Sequence, residues 1–160
     1  MSTDDNALEN ETEVLFPHRR VTVGGEPVEV RELTFWQGLE AAPLVEPMIA
    51  DLFELFKDGA IEPDLTKLGA VFGRHRGATL KLMSLSTGLD ADAIAALPDS
   101  DGQTLLMAFW GANLHFFVTR LVQRRESLAI RDHLNQRREE AEREAEALKR
   151  ELASEGYSVN

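Results

Sequence analysis

The stretch FWGANLHFF, residues 109–117, decides the fold, because it sets Asn113 and His115 among aromatic and aliphatic side chains inside an uncharged run from Gly102 to Thr119. Such a run admits three readings: a bilayer span, a polar site, or the centre of a helical core. A span needs roughly 20 predominantly apolar residues. This run is shorter, contains an asparagine, a histidine and two threonines, and continues directly into charged sequence, so the membrane reading is rejected.

On an ideal helix Thr104, Ala108, Gly111, His115, Thr119 and Val122 share one arc, while Leu106, Phe109, Asn113, Phe117, Arg120 and Arg124 fall near the opposite side. Asn113 and His115 then point about 160° apart and cannot form one site on that helix. Each is read as a buried polar group bonded to a different neighbouring element. With Leu114 and Val118 filling the remaining arc, the helix is apolar all round and is expected to be surrounded.

Outward from this run the boundaries follow from caps and breakers. Ser100 and Gln103 have capping-box spacing, so a long helix is expected from about Asp101 to about Ala153, before Gly156. Beyond about Glu126 that helix is charged, with a thin line of Leu134, Ala141, Ala145, Leu148 and Leu152 and with Arg138 in the seam. A projecting, fraying helix is favoured there over a coiled coil. Upstream, Asp90 caps a short helix carrying Ile94 and Leu97 before Pro98.

Asp64 is expected to cap a helix reaching about Ser86 and stopping at Thr87-Gly88. Gly69, Gly73 and Gly77 recur every four residues on one of its faces, and Lys67, Arg74 and Lys81 every seven on roughly the opposite one. The glycines predict either close approach of another helix, with the small-residue face of the later helix as the partner, or a break near Gly73–Gly77. The basic stripe faces water or an acidic partner.

Thr34 and Gln37 form a second capping box, which starts a helix at Phe35. Pro43 and Pro47 predict that this helix is divided, with a second piece from about Pro47 to Lys57 and a stripe of Met48, Leu52, Leu55 and Phe56. Before it, RVTVGGEPVEVREL alternates Val21, Val23, Val28 and Val30 with polar residues around Gly24-Gly25, a hairpin pattern. Residues 1–18 read as a disordered acidic tail, since Met1 to Glu13 contains five acids and no base, and no signal peptide is recognisable. The expected fold is mainly α: an N-terminal β-hairpin and small helical bundle over residues 19–126, then a long charged C-terminal helix over 127–160.

The chemistry is mostly negative. With no cysteine, disulfides and thiolate metal sites are excluded, and a reducing cytosol suits the chain. His18, His75, His115 and His133 have no partner at helical ligand spacing, so no metal is expected. DSDG, Asp99 to Gly102, fails as a calcium loop because the first and twelfth positions would be Leu97 and Ala108. No phosphate-binding glycine loop and no nucleophile elbow is present, and the carboxylates lie in charged segments; neither catalysis nor a cofactor is expected. A net charge of −11 opposes binding to bare nucleic acid. Net positive charge survives over residues 64–88 and 120–140, where solvated helix faces are the plain explanation.

Taken in order, the hairpin VTVGGEPVEVREL, the helix start LTFWQ, a glycine-containing middle helix and then IAALPDSDGQTLLMAFWGANLHFF resemble the phage tail assembly chaperones of long-tailed phages. The family pattern I..L...D...L......N..FF is matched by Ile94, Leu97, Asp101, Leu105, Asn113, Phe116 and Phe117, and the likeness covers about Arg19 to Arg125. The resemblance implies a non-catalytic role in the host cell cytoplasm, outside the mature virion. Such a protein binds the tape measure protein, keeps it soluble, and leaves as tail tube subunits assemble. The client-binding residues expected on this reading are Phe35, Trp36, Phe53, Phe56, Phe109, Trp110 and Phe117. The alternative is a structural or scaffold component of the tail, with self-association through the charged helix.

Overall fold

A computed structural model of the chain describes residues 19–59 and 64–156. The tail expected over residues 1–18 lies outside the described residues. Strands β1 (Arg19–Val23) and β2 (Glu26–Val30) pair antiparallel, with Val21 opposite Val28 and Val23 opposite Glu26. Gly24 and Gly25, at φ 60° and 81°, supply the two positive angles of the tight turn that the alternation required. Val23, Val28 and Val30 are buried and Val21 half-buried, so the pleat has one inward face. A two-stranded hairpin is marginal alone. This one is fixed by neighbours: the Gly24 amide donates to Asp101 Oδ2 at 3.1 Å, and the Arg31 amide to the Ser86 carbonyl at 2.9 Å.

Helix α1 (Phe35–Phe56) starts at the Thr34 capping box, as expected, with both reciprocal bonds present. It is not divided. Pro43 and Pro47 both sit inside one 22-residue helix. The reason is their placement: both are exposed and four residues apart, on the side away from buried Gly38, Ala41, Val45, Met48, Ile49 and Leu52. The carbonyls of Leu39 and Pro43, which lose their donors four residues on, therefore lie on the outer side of the helix, while packing of the inner stripe holds the rod together.

Asp64 caps α2 (Leu65–Arg74) by accepting from Thr66 and Lys67, and α3 (Arg76–Thr87) follows after a break at His75, so the broken alternative holds. The close glycine approach does not. A Cβ built at Gly69, Gly73 or Gly77 would meet no atom within 4 Å, and Gly73 and Gly77 are exposed. The break lets each short helix turn its larger apolar residues inward instead: Leu68, Val71 and Phe72 from α2, and Ala78, Leu82 and Met83 from α3. Thr79 spans the break, its hydroxyl donating to the Phe72 carbonyl at 2.8 Å. Gly88, at φ 74°, ends α3 in the left-handed conformation.

Helix α4 (Ala91–Ala95) is capped by Asp90, and α5 (Asp99–Ala112) starts after Pro98, two residues before the expected position. Ser100 lies within its first turn, not at its cap; its carbonyl accepts from the Thr104 hydroxyl. Asp99 and Asp101 place negative charge at that N-terminus, where it complements the helix dipole.

The expected single helix to Ala153 is broken at Asn113, after which α6 (Leu114–Ser154) begins at an angle of 61° to α5. No single helix among the described residues is long and apolar enough to cross a membrane, although this bent pair passes on length and composition together. The chain divides into two compact units, one ending at Leu121 and one starting at Val122. In the second, Ile130, Leu134 and Leu148 are exposed and the helix carries its own ion pairs, Arg138–Glu142, Arg143–Glu139 and Arg150–Glu146.

Candidate functional site

Asn113 occupies the centre of the first unit and is fully buried. Its Oδ1 accepts from the Leu33 amide at 2.8 Å, while Nδ2 donates to Ser86 Oγ at 3.1 Å and lies 3.1 Å from the Phe109 carbonyl and 3.3 Å from the Arg31 carbonyl. The Ser86 hydroxyl in turn donates to the Arg31 carbonyl. One amide thus joins the end of the hairpin, the end of α3 and the α5–α6 break. This is a satisfied structural node, as the sequence suggested. His115 differs from expectation: it is exposed, because the break at Asn113 turns the following residues off the ideal arc.

The aromatic residues divide into two groups. Phe109 and Phe117 are fully buried, in edge contact with each other and with Phe72, which the sequence reading passed over. Trp110 is half-buried against Phe117, with ring centroids 4.9 Å apart, and stacks on half-buried Phe56. Phe53 is half-buried as well. Phe109 and Phe117 are therefore core, not client surface, which corrects the expectation for both. Nor is the run covered on every side: Met107, Leu114 and Val118 are 37%, 46% and 46% exposed.

Phe35 and Trp36 stand apart from this cluster. They are 79% and 65% exposed, in the first turn of α1, and Leu39 is 47% exposed one turn later. At 100° per residue Trp36, Leu39, Pro43 and Pro47 share the outer side of α1. Opposite them, Gly38 lies against the Phe116 ring, and the Arg120 guanidinium donates to the Gly38 carbonyl at 2.8 Å while sitting 3.6 Å from the Phe116 ring centre. Burial lowers the pKa of that guanidinium. The inner side of the α1 start is thus anchored by a cation–π contact and backbone bonds. The rings of Phe35 and Trp36 at this start are open to solvent, and core packing gives no reason for them to be there.

The basic stripe does not survive as drawn. The break at His75 puts Lys67 and Arg74 on α2 and Lys81 on α3. Lys67 and Lys81 are exposed, but Arg74 binds Asp51 Oδ2 at 2.7 Å, and His75 Nε2 reaches the same oxygen at 2.8 Å. Hydrogen bonds from His75 and Arg74 hold the Asp51 carboxyl below its ordinary pKa. This trio latches the α2–α3 break to α1. Among the described residues no group of three or more histidines and acids is placed to hold a metal.

An open trough of roughly 550 Å³ lies between β1 and α5, lined by Arg19, Arg20, Val21, Gln103, Thr104, Met107 and Ala108. Gly111 makes room for it to close at one side, because a Cβ there would land on the Arg19 guanidinium. This trough has no local signature in the sequence, because it arises from packing of a hairpin on a helix some 80 residues away.

The chain belongs to a family of unknown function (DUF6631), which it matches over residues 11–150. No curated protein and no solved structure matches it.

Proposed function

We propose that this member of the DUF6631 family is a phage tail assembly chaperone. It would bind amphipathic helical segments of the tape measure protein in the host cell cytoplasm, hold them soluble without catalysis, and release them as tail tube subunits assemble. The observation that carries the reading is the pair Phe35 and Trp36, 79% and 65% exposed beside Leu39 on a capped helix start. Exposed aromatic surface of this kind suits a helix laid apolar side down. The resemblance in chain order and in the Ile94-to-Phe117 pattern also supports it. The residues of that pattern are those that build the core, with Ile94, Leu105, Asn113, Phe116 and Phe117 buried and Asp101 bonded to the hairpin turn.

Co-expression with the tape measure protein of the same phage, followed by pull-down and a solubility assay, tests the reading. The tape measure protein is expected to become soluble and to be retained. If it is neither, the proposal has no mechanism left. Detection of the chain in purified particles would instead favour a structural or scaffold role in the tail.

A further inference from the structure

The second unit contains a seam that its own chain leaves open. Leu134, Ala141 and Leu148 recur at seven-residue spacing, and Ala145 and Leu152 lie four residues after the last two, on the same side of α6. Leu134 and Leu148 are 59% and 56% exposed, and Ala141 and Ala145 are exposed too. In heptad terms these are d positions (Leu134, Ala141, Leu148) and a positions (Ala145, Leu152), with Arg138 at the remaining a position.

The flanking charges complement the same helix. Arg137 and Glu144 take g positions, and Glu142 and Lys149, five residues later, take the e positions that face them across a parallel, in-register pair. Arg137 then meets Glu142 of the second copy, and Glu144 meets Lys149 of the second copy, each twice by symmetry. Both pairs have opposite charge. The charged seam residue, Arg138, is bonded to Glu142 of its own helix at 2.9 Å, which draws its guanidinium to the flank. A charged residue at a single a position costs stability and fixes register.

We propose that Leu134–Leu152 forms a parallel two-stranded coiled coil with a second copy of this chain. The partner is a copy of this chain because the charge pattern is self-complementary, as a two-fold interface requires. The alanine layers bury little area, so the dimer is concentration-dependent. The inference stands independently of the chaperone reading.

Sedimentation of the full chain over a concentration series is the test. A monomer–dimer equilibrium is expected, whereas a monomer at every concentration overturns the proposal. Lys149→Glu turns two attractive contacts repulsive and is expected to raise the dimer Kd about tenfold. Glu144→Lys with Lys149→Glu restores it, and Arg138→Leu tightens it. Failure of the double swap to restore dimerisation counts against the proposed pairing. Orientation is read separately: the chain has no cysteine, so Ala145→Cys cross-links to its own copy under mild oxidation only if the helices are parallel and in register. A dimer that resists this cross-link is antiparallel or uses another surface, and the proposal is then wrong.

Discussion

Asn113 Oδ1 accepts the Leu33 amide at 2.8 Å across 80 positions of sequence, so a buried backbone donor at the hairpin's end depends on one side chain at a helix break. Truncation by Asn113→Ala leaves that N–H buried without a partner, at a cost of about 1–3 kcal/mol, and also removes the donor that Ser86 accepts. Asn113→Asp keeps an acceptor for Leu33 but sets a carboxylate against the Phe109 and Arg31 carbonyls. Burial there would raise the carboxyl pKa above its unfolded value. Stability of this variant should therefore fall as pH rises above about 4, the reverse of an ion-paired acid. Chemical denaturation of both variants at two pH values checks the sign.

Phe117 is fully buried among Phe72, Phe109, Trp110 and Phe116. Phe117→Ala should lose about 3–5 kcal/mol through transfer and cavity terms. Phe117→Asp, which buries a charge with no partner, should leave no folded protein by circular dichroism.

Phe35 and Trp36 should behave in the opposite way. Replacing both with serine is expected to change stability by no more than about 0.5 kcal/mol, because neither ring is in the core. Client retention in the pull-down should nevertheless be lost. Retention at the original level would move the docking surface elsewhere.

Gly69, Gly73 and Gly77 have no atom near their missing Cβ positions. Gly69→Ala, inside α2, should stabilise the chain by up to about 1 kcal/mol, through helix propensity and a less flexible unfolded state. A drop in melting temperature would mean that a neighbour does reach this face.

The latch at Asp51 gives a pH dependence. Its carboxyl pKa is lowered in the folded chain by hydrogen bonds from His75 and Arg74, so its stabilising contribution is present above the unfolded carboxylate value of about 4 and is lost as pH falls through the folded value. The side chain is 32% exposed, which screens the effect and keeps it small. Asp51→Asn should therefore lower stability slightly at neutral pH, leave it unchanged at strongly acid pH, and so flatten the acid limb of the stability profile.

Local chemistry was legible in the sequence. The Thr34 capping box, the Asp64 and Asp90 caps, and the Gly24-Gly25 turn each involve residues a few positions apart, and each formed as expected. Apart from the Ser100 cap, where the helix starts two residues early, the misreadings lie where tertiary contacts override local rules. Pro43 and Pro47 remain in one helix because their side faces outward, and the uncharged run breaks at Asn113 because Leu33, Arg31 and Ser86 offer its side chain partners that a continuous helix would not reach. The same break exposed His115 and left Leu114 and Val118 half uncovered. The candidate surface was legible only in part. Sequence grouped seven aromatic residues by type, and only burial distinguishes Phe35 and Trp36 from Phe109 and Phe117.

The Asn113 node also orders events during synthesis. The hairpin leaves the ribosome before the helices, yet its end is fixed by residues 86 and 113, and its turn by residue 101. A nascent chain that stops short of residue 113 lacks the side chain that accepts the Leu33 amide, and its α3 end has a serine without its amide neighbour. The first made of the described elements is therefore among the last to be secured, and translation products that end before α3 should carry an unanchored β-ribbon with its apolar face uncovered.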